Sequence, residues 1–403
     1  MQGITRRIPA QQVAKDSDSG SFTPGGLLVL SGGSLTSLGR SPIPLEPWPE
    51  WIEHRPARKF LISNRDVVAF GAYGHTGRFV VAELCKRGWQ LILSGRNEAK
   101  LNAVAGEHPH AEVRPALVDD PASLHRALAG ASAVINCAGP FIDTAIPIIE
   151  AALRSEIHYL DIAAEQAAVL AVFERFSLAA REAGTVIAPA MAFYGGLGDL
   201  LATAAMGDWN AADEILIGVA LDSWKPTLGT RLTGRRTPGQ HLTYSDNRLE
   251  RSDPPPRVWN FPAPFGQQEV VGFSLGETIT ISRHLRAPRV HAYMNLPPLK
   301  DIRNPDTPAP AAADETGRSS QTFLMEAIVR NGNAERRAVA QGRDIYAITA
   351  PIVVEAALRV VSGLATSSGV VTAGQAFNPL NFLSALAPEH LSFAIEHSLS
   401  PAR

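Results

Sequence analysis

The chain is poor in cysteine, in excess charge of either sign and in long apolar runs. Its two cysteines among 403 residues, Cys85 and Cys137, can build neither a disulfide framework nor a thiolate metal site. Lysine and arginine number 37 against 39 aspartates and glutamates, and the formal charge of -2 offers no basic field for nucleic acid or an anionic membrane. We therefore expect a small-molecule partner, no nucleic acid, no membrane and a cytoplasmic location.

The longest apolar stretches of the chain are interrupted. Thr185–Met206 contains Pro189 and a cluster of glycines, which predicts a short strand, a loop and a helix start. Residues 346–365 carry Glu355 and Arg359 four positions apart, in the order that favours an ion pair on the wet face of an amphipathic helix. Residues 1–20 lack the apolar segment of a secretory signal, so we expect no export.

Several catalytic and metal-binding patterns are also missing. None of the 6 tyrosines is followed by lysine four residues later, which disfavours the short-chain dehydrogenase mechanism. The pairs His108 with His110 and His284 with His291 are not completed by carboxylates or cysteines at ligand spacing. We expect surface histidines and no metal site.

The first two segments of the chain differ in composition and rhythm. Residues 1–62 are rich in Gly, Ser and Pro, which predicts an extension that is ordered only in part. Residues 63–200 alternate short apolar runs with helix-length segments, as is typical of a Rossmann doubly wound parallel sheet covered by helices. The predicted strands are Val67–Phe70, Leu91–Ser94, Val113–Ala116, Ala133–Cys137, Tyr159–Ile162 and Val186–Ala188.

The alternation of short apolar runs with helix-length segments ends near residue 200. Residues 201–345 predict a second, mostly antiparallel α+β domain for substrate binding and dimerisation, and residues 346–403 are expected to return to the first domain. Asn331-Gly332 favours a hairpin between two of the strands. The strands predicted here are Glu214–Leu221, Thr278–Ser282, Val290–Met294, Thr322–Arg330 and Ala334–Ala340. The predicted fold class is therefore α/β with a second α+β domain.

Three glycines follow the first predicted strand at the spacing of a dinucleotide-binding loop. Gly71 allows the tight turn, Gly74 lets the backbone approach a pyrophosphate, and Gly77 lets the next helix pack close to the strand. The helix N-terminus then faces the phosphates with free N–H groups and a positive dipole end. A purely structural turn is the alternative. The predicted cofactor-binding residues of this loop are Gly71, Tyr73, Gly74, His75, Thr76 and Gly77.

The end of the second predicted strand bears on the choice between NAD and NADP. An NAD site places an acid there to bind the ribose hydroxyls, whereas this strand ends in Ser94, Gly95 and Arg96. Arg96 offers a forked guanidinium to a 2′-phosphate and Ser94 a hydroxyl. NADP(H) is therefore the predicted cofactor. The alternative is that Arg96 stacks on the adenine or lies in water.

Further short motifs follow the glycine fingerprint of Gly71, Gly74 and Gly77. They lie at Asn136–Phe141, His158–Asp161 and Glu165. Together with the fingerprint they resemble the saccharopine dehydrogenase-like NADP-binding oxidoreductases, including the trans-acting enoyl reductase-like branch. The resemblance continues through Pro189–Asp199 and returns at Tyr346–Ala350 and Gly369–Phe382. No saccharopine-type acid/base pair maps onto the sequence, which disfavours true saccharopine chemistry.

The resemblance implies where the cofactor lies. The GxxGxxG form of the fingerprint is commoner in families that prefer NADP(H). The loop Ala138-Gly139-Pro140, which follows Cys137, would pass beside the nicotinamide ribose, and Asp119 would lie near the adenine. Ligands of doubly wound sheets do bind beyond the carboxyl ends of the strands, where these residues fall. For Gly139-Pro140, a strand-terminating turn is the alternative.

A hydride-transfer site also needs a proton source on the loops at the carboxyl edge of the sheet. The predicted candidates are Tyr194, Asp161 and Glu165. The two carboxylates could instead cap a helix, and the tyrosine could form a wall of the pocket. Three arginines between residues 231 and 236 could clamp an acidic substrate or belong to a solvated loop.

These observations predict an NADP(H)-dependent oxidoreductase that reduces a C=C or C=N bond of a small biosynthetic intermediate and acts as a homodimer. Two alternatives stay open. One is a Rossmann protein that senses the NADP(H) ratio without turnover, and the other is a lyase or isomerase that holds NAD tightly.

Overall fold

Parallel strands, largely buried except for the edge strand Glu112–Pro115, build the first sheet. A computed structural model describes residues 66–236 and 241–399, with side chains up to residue 396. The predicted N-terminal extension, residues 1–62, lies outside these residues. Within them, sheet A has seven strands in the order β3-β2-β1-β4-β5-β6-β15. They are β1 (Asp66–Phe70), β2 (Gln90–Gly95), β3 (Glu112–Pro115), β4 (Ala133–Asn136), β5 (His158–Asp161), β6 (Val186–Ala188) and β15 (Gly369–Val370).

Helices connect these strands and cover both faces of sheet A, as the sequence predicts for a Rossmann fold. The sequence predicts helix starts near His75, Asn97, Pro121, Ile142 and Glu165, and each helix begins within one residue of these positions. Asn97 caps the second helix by accepting from the N–H of Lys100, and Asp120 caps the third ahead of Pro121. The helices are α1 (His75–Lys86), α2 (Glu98–Glu107), α3 (Pro121–Leu128), α4 (Phe141–Arg154) and α5 (Gln166–Glu182).

A π-helical turn, Phe193–Leu197, and helix α6 (Gly198–Met206) lead from sheet A to a second, mixed sheet. Among the described residues, sheet B follows the path β10-β11-β12-β7-β13-β14-β16, with a β8-β9 hairpin beside β12. Its pairs are antiparallel except that of β12 with β7. The strands are β7 (Glu214–Leu221), β8 (Thr243–Ser245), β9 (Arg248–Glu250), β10 (Arg257–Asn260), β11 (Gln267–Gly272), β12 (Val290–Asn295), β13 (Thr322–Asn331), β14 (Ala334–Arg343) and β16 (Leu391–Leu399). The predicted hairpin at Asn331-Gly332 is confirmed.

The remaining helices pack around the junction of the two sheets. They are α7 (Leu228–Arg236), α8 (Gly276–Ser282), α9 (Leu296–Arg303), α10 (Thr349–Val361), α11 (Ala373–Ala376) and α12 (Pro379–Leu386). The strand predicted at Thr278–Ser282 is wrong, because this β-branched run forms α8. The Thr280 hydroxyl lies 3.4 Å from the carbonyl oxygen of Gly195, so α8 is held against the π-helical turn.

Helix α10 brings the end of the chain back to α1. The predicted ion pair between Glu355 and Arg359 forms at 2.7 Å. It is not on a wet face, because Glu355 is buried and also binds Arg87, the C-cap residue of α1, at 2.5 Å. One hydrophobic core includes residues of α1, α10 and both sheets. The predicted domain limits, 63–200 and 201–345, therefore stay predictions. None of the helices in the described ranges is long and apolar enough to cross a membrane.

Candidate active site

The glycine loop between β1 and α1 adopts the form that the sequence predicts. Gly71 has a φ of +83°, which favours glycine, and a Cβ there would come within 2.9 Å of the amide of Ala138. A Cβ on Gly77 would lie 2.3 Å from the carbonyl oxygen of Gly71, so only glycine lets α1 start this close to the strand. Gly74 has an ordinary φ of -67° and is the N-cap residue of α1.

The residues of this loop fit a dinucleotide. No side chain of the described residues caps α1, and the first N–H groups of the helix are therefore available to a pyrophosphate. A Cβ on Gly74 would stand 3.2 Å from the nearest loop oxygen, in the cradle that the pyrophosphate needs. The ring of His75 lies edge-on to Phe79 and Tyr346, at centroid distances of 5.4 and 5.3 Å. The Nε2 of this ring is buried and has no hydrogen-bond partner among the described residues.

The adenosine end of the site is open at the end of β2. Arg96 and Lys100 are exposed, and the Lys100 Nζ lies 5.8 Å from the centroid of the Tyr73 ring. Tyr73 packs over Gly95, where a Cβ would come within 3.0 Å of the ring. Ser94 is fully buried and its hydroxyl has no partner among the described residues, so Arg96 is better exposed to a 2′-phosphate. Asp119 is exposed after β3, at the same edge of the sheet.

Hydrogen bonds of the Asn136 side chain hold the loop after β4 in place. The Asn136 side chain accepts from the N–H of Ala138 at 3.0 Å and donates to the hydroxyl of Tyr159 at 3.2 Å. Gly139 and Pro140 follow in a cis peptide bond, and α4 starts next. Cys137 and Gly139 line a cavity of about 360 Å³. Burial, and secondarily the charge of Asp161, raises the pKa of the Cys137 thiol, which therefore stays protonated.

Asp161 lies outside the lining of this cavity and joins two loops. Its Oδ1 accepts from the N–H of Ala163 at 2.9 Å and from that of Ala190 at 2.8 Å. Its Oδ2 accepts from the Tyr159 hydroxyl at 2.9 Å. Burial raises the pKa of the carboxyl against these bonds, which lower it. The Asp161 carboxylate therefore holds the loop after β5 to the loop after β6, and it is a candidate for positioning rather than proton donation.

Glu165 lines the cavity and is only partly satisfied. Its Oε1 accepts from the N–H of Phe141 and from the Thr233 hydroxyl, both at 3.0 Å. Its Oε2 has no hydrogen-bond partner among the residues that the structure describes. Desolvation raises the pKa of this carboxyl to about 7 against the two bonds. Glu165 therefore changes its protonation state near neutral pH.

Tyr194 also lines the cavity, from the π-helical turn. Such turns recur at functional sites because they displace side chains from the regular helix. Its hydroxyl is buried and unpartnered within the described part of the chain, and burial raises its pKa well above the ordinary value. The turn needs close backbone approach, since a Cβ on Gly195 would lie 2.5 Å from the Ala190 carbonyl oxygen.

The structure brings in residues that the sequence patterns did not reveal. Trp224, Thr230, Phe273 and Tyr346 reach the cavity from segments around sheet B. The Tyr346 hydroxyl accepts from the Trp224 indole N–H at 2.9 Å and lies 2.9 Å from the Thr230 hydroxyl. No local motif marks them, because long-range folding alone places them together.

Another buried carboxyl stands behind the π-helical turn. Glu277 of α8 accepts from the N–H of Leu275 at 2.8 Å through Oε1, and its Oε2 has no partner among the described residues. Desolvation raises the pKa of Glu277 to about 7, and its charge contributes to the raised pKa of Tyr194. Gly198 packs against this side chain, since a Cβ there would lie 3.0 Å from Glu277 Cβ.

The arginines and histidines singled out from the sequence lie elsewhere. Arg231 donates to the carbonyl of Thr307 at 2.6 Å, and Arg236 pairs with Asp143 at 2.6 Å. The expectation that His284 lies on the surface is wrong, because its Nε2 lies 2.6 Å from the buried Asp199 carboxylate. Within the described ranges, no group of three His, Cys, Asp or Glu could hold a metal ion.

Comparison with known proteins identifies the first domain. The family profile "Saccharopine dehydrogenase NADP binding domain" matches residues 67–187. The Arabidopsis thaliana protein named "Probable mitochondrial saccharopine dehydrogenase-like oxidoreductase" is 32% identical over 143 residues, 32% of this chain and 32% of that protein. The Caenorhabditis elegans "Lipid droplet localized protein" is 30% identical over 141 residues, 32% of this chain and 33% of that protein. The chain thus matches about a third of the length of these curated relatives.

A solved structure shares the fold beyond the first domain. Apo saccharopine dehydrogenase (L-Glu forming) from Saccharomyces cerevisiae superposes with a TM-score of 0.58 over 82% of this chain and 100% of that chain. The sequence identity is 11%, so this likeness concerns the fold.

The predicted cytoplasmic location was wrong. The two relatives are named mitochondrial and lipid droplet localized, which points away from a purely cytoplasmic location. Scarce cysteine does not distinguish the cytoplasm from other reducing compartments. The predicted cofactor, in contrast, is confirmed as NADP(H). The glycine fingerprint and these matches together show that residues 67–187 form a domain similar to the NADP-binding domain of saccharopine dehydrogenases, and the described fold is that of a saccharopine dehydrogenase.

Proposed function

We propose that this chain is an NADP(H)-dependent reductase of a C=C or C=N bond in a small intermediate that binds in the cavity. One observation carries the proposal. Thr76 and Gly139 of the cofactor loops line the same cavity as Glu165 and Tyr194. A hydride donor and two proton-bearing groups would therefore face one substrate volume. A cavity of about 360 Å³ at this place favours turnover over NADP(H) sensing.

NADPH supplies the hydride when it is bound, and the residues of the chain supply the rest. Glu165 suits proton donation because a pKa of about 7 matches the pH at which the enzyme works. Tyr194 stays protonated and would orient the substrate heteroatom through a hydrogen bond. Phe193, Trp224 and Phe273 form aromatic walls that exclude water.

Oxidation of NADPH with panels of enoyl compounds and imines tests the proposal. We expect turnover with one panel, and a loss of roughly 100- to 10,000-fold in kcat for Glu165→Gln and Tyr194→Phe with unchanged NADP(H) affinity. Tyr244→Phe, on β8 outside the cavity lining, is the matched control and should keep full activity. Bound NADP(H) without turnover in either panel would support the sensing alternative instead.

The homodimer stays a prediction of the sequence. Sedimentation velocity of the full chain at micromolar concentration checks it, and a single monomeric species would exclude it.

A further inference from the structure

The cavity has an unbalanced charge. Its lining among the described residues includes one carboxyl, that of Glu165, and no lysine or arginine. Of the three arginines that could form a clamp, Arg231 binds a backbone carbonyl, Arg236 binds Asp143, and Arg235 is exposed and outside the cavity lining. A substrate carboxylate would therefore meet no cation in the described lining.

The Glu165 carboxyl has only neutral partners. Its residue is 5% exposed, and the two groups that bind Oε1 are an amide and a hydroxyl. An ionised carboxylate buried without a counter-charge is strongly disfavoured in a protein interior. A ligand that carries an N–H cation would supply the missing charge and pair with Oε2.

His241 adds a second acceptor to the same lining. Its Nδ1 lies 2.7 Å from the carbonyl oxygen of Ser274, which can only accept, so Nδ1 carries the hydrogen. In the neutral ring, Nε2 then carries a lone pair and can accept a hydrogen bond. The ring is held against Phe273 at a centroid distance of 4.9 Å. Acceptors thus outnumber cations at the polar part of the cavity, which favours a ligand with N–H donors.

The other walls are apolar and aromatic. Tyr194 and Trp224 lie 5.8 Å apart between ring centroids, and Trp224 and Phe273 lie 6.1 Å apart. Such rings bury an apolar body and also attract a cation over their faces. The combination suits an amine with a hydrocarbon or aromatic body.

We infer that the substrate of this cavity is an apolar imine without a carboxylate group, that the product is the corresponding amine, and that Glu165 pairs with its N–H. The inference rests on the proposed reductase function and selects the C=N bond. The imine nitrogen takes a proton from the Glu165 carboxyl, which becomes a carboxylate. The hydride of NADPH then adds to the carbon, the π pair becomes the nitrogen lone pair, and NADP⁺ and the amine leave.

Calorimetric titration of the full chain saturated with NADP⁺ tests the charge preference directly. The probes are phenylbutylamine and phenylbutyrate, which share one apolar body and differ in charge. We expect the amine to bind at least about tenfold more tightly at a pH of about 8. Glu165→Gln should abolish the preference. Asp143→Asn removes an exposed carboxylate on α4 outside the cavity lining and should keep it.

Equal or tighter binding of phenylbutyrate, or a preference that survives in Glu165→Gln, would overturn the inference. An NADP(H) affinity equal to that of the parent shows that the Glu165→Gln chain is folded. Turnover of phenylpyrroline, a cyclic imine, separates the two proposals. Amine binding through Glu165 without any turnover contradicts the reductase function alone, whereas enoyl turnover without amine preference contradicts the substrate class alone.

Discussion

At the scale of single residues, Gly74 and Gly77 constrain the same loop for different reasons. Gly74→Val keeps an allowed φ of -67°, and its side chain enters the pyrophosphate cradle. We expect a folded chain with at least about a hundredfold weaker NADP(H) binding. Gly77→Ala would drive Cβ to 2.3 Å from the Gly71 carbonyl oxygen, so it should lower the free energy of unfolding. Urea unfolding and NADPH titration of both variants check this, and tight NADPH binding by folded Gly74→Val would contradict it.

Arg96 is expected to select the phosphorylated cofactor. Its exposed guanidinium stands at the end of β2 beside Lys100, where a 2′-phosphate would be read. NADPH should therefore bind considerably more tightly than NADH, and Arg96→Ala should lose most of that preference with little change for NADH. Arg175→Ala, on α5 and paired with Glu150, is the control. Equal affinity for both cofactors in the parent chain would refute this role.

Glu277 makes stability depend on pH. Burial raises its pKa from 4.5 to about 7, so its contribution to folding is full below pH 4.5 and is lost as the pH rises through about 7. A pKa change of this size corresponds to roughly 3 kcal/mol in the free energy of unfolding. Glu277→Gln stays neutral at every pH, and Gln has nearly the shape of the protonated acid. We expect equal unfolding free energies near pH 4.5 and a variant more stable by roughly 2 to 3 kcal/mol above pH 8. Urea unfolding of the parent chain and the variant at the two pH values checks this prediction. A difference in unfolding free energy that does not change with pH would contradict it.

The sequence could predict residues whose task is local. Gly71 and Gly77 serve the backbone within one strand-turn-helix unit, and Glu165 follows a predicted strand, so pattern and spacing were enough. Trp224 and Phe273 gave no such signal, because they meet Tyr194 only after sheet B has folded. The sequence could not predict the burial of Ser94 either, because this burial depends on which residues pack over the end of β2.

At the scale of elements, Asp161 ties the loop after β5 to the start of the π-helical turn. Ala190, one of its two amide donors, has a φ of +58°, a conformation that costs energy in a residue other than glycine. Asp161→Asn weakens this clamp, since an amide offers one acceptor oxygen in place of two. We expect a loss of roughly 1 to 3 kcal/mol in unfolding free energy and a lower kcat.

A pH profile of turnover distinguishes this positioning role from proton transfer. Asp161→Asn should keep one ionisation from Glu165 but move it to lower pH, because the charge of Asp161 contributes to the raised pKa of Glu165, whereas Glu165→Gln should remove the ionisation near 7. Loss of this ionisation in Asp161→Asn alone would make Asp161 the proton donor.

Helix α8 shows where element prediction fails. The alternating threonines and isoleucines at 278–281 favour a strand on local grounds, but every one of them is buried in the helix. Packing on the π-helical turn overrides the local preference. The Rossmann elements were predictable because period, caps and glycines agree there, and sheet B was harder because its strands β8 to β11 are too short to show a clear period.

At the scale of the whole molecule, sheet A is completed by the end of the chain. Strand β15 pairs with β6 in parallel, and α10 packs on α1, although all of sheet B except β16 lies between them in sequence. The order of synthesis therefore matters. A ribosome that has finished β6 has made the entire glycine fingerprint of the cofactor site but neither β15 nor α10. The nucleotide domain should mature only after the segment from residue 349 onward has emerged. Premature stop codons anywhere in strands β7 to β14 should then abolish cofactor binding, even though every residue of the glycine loop has been translated.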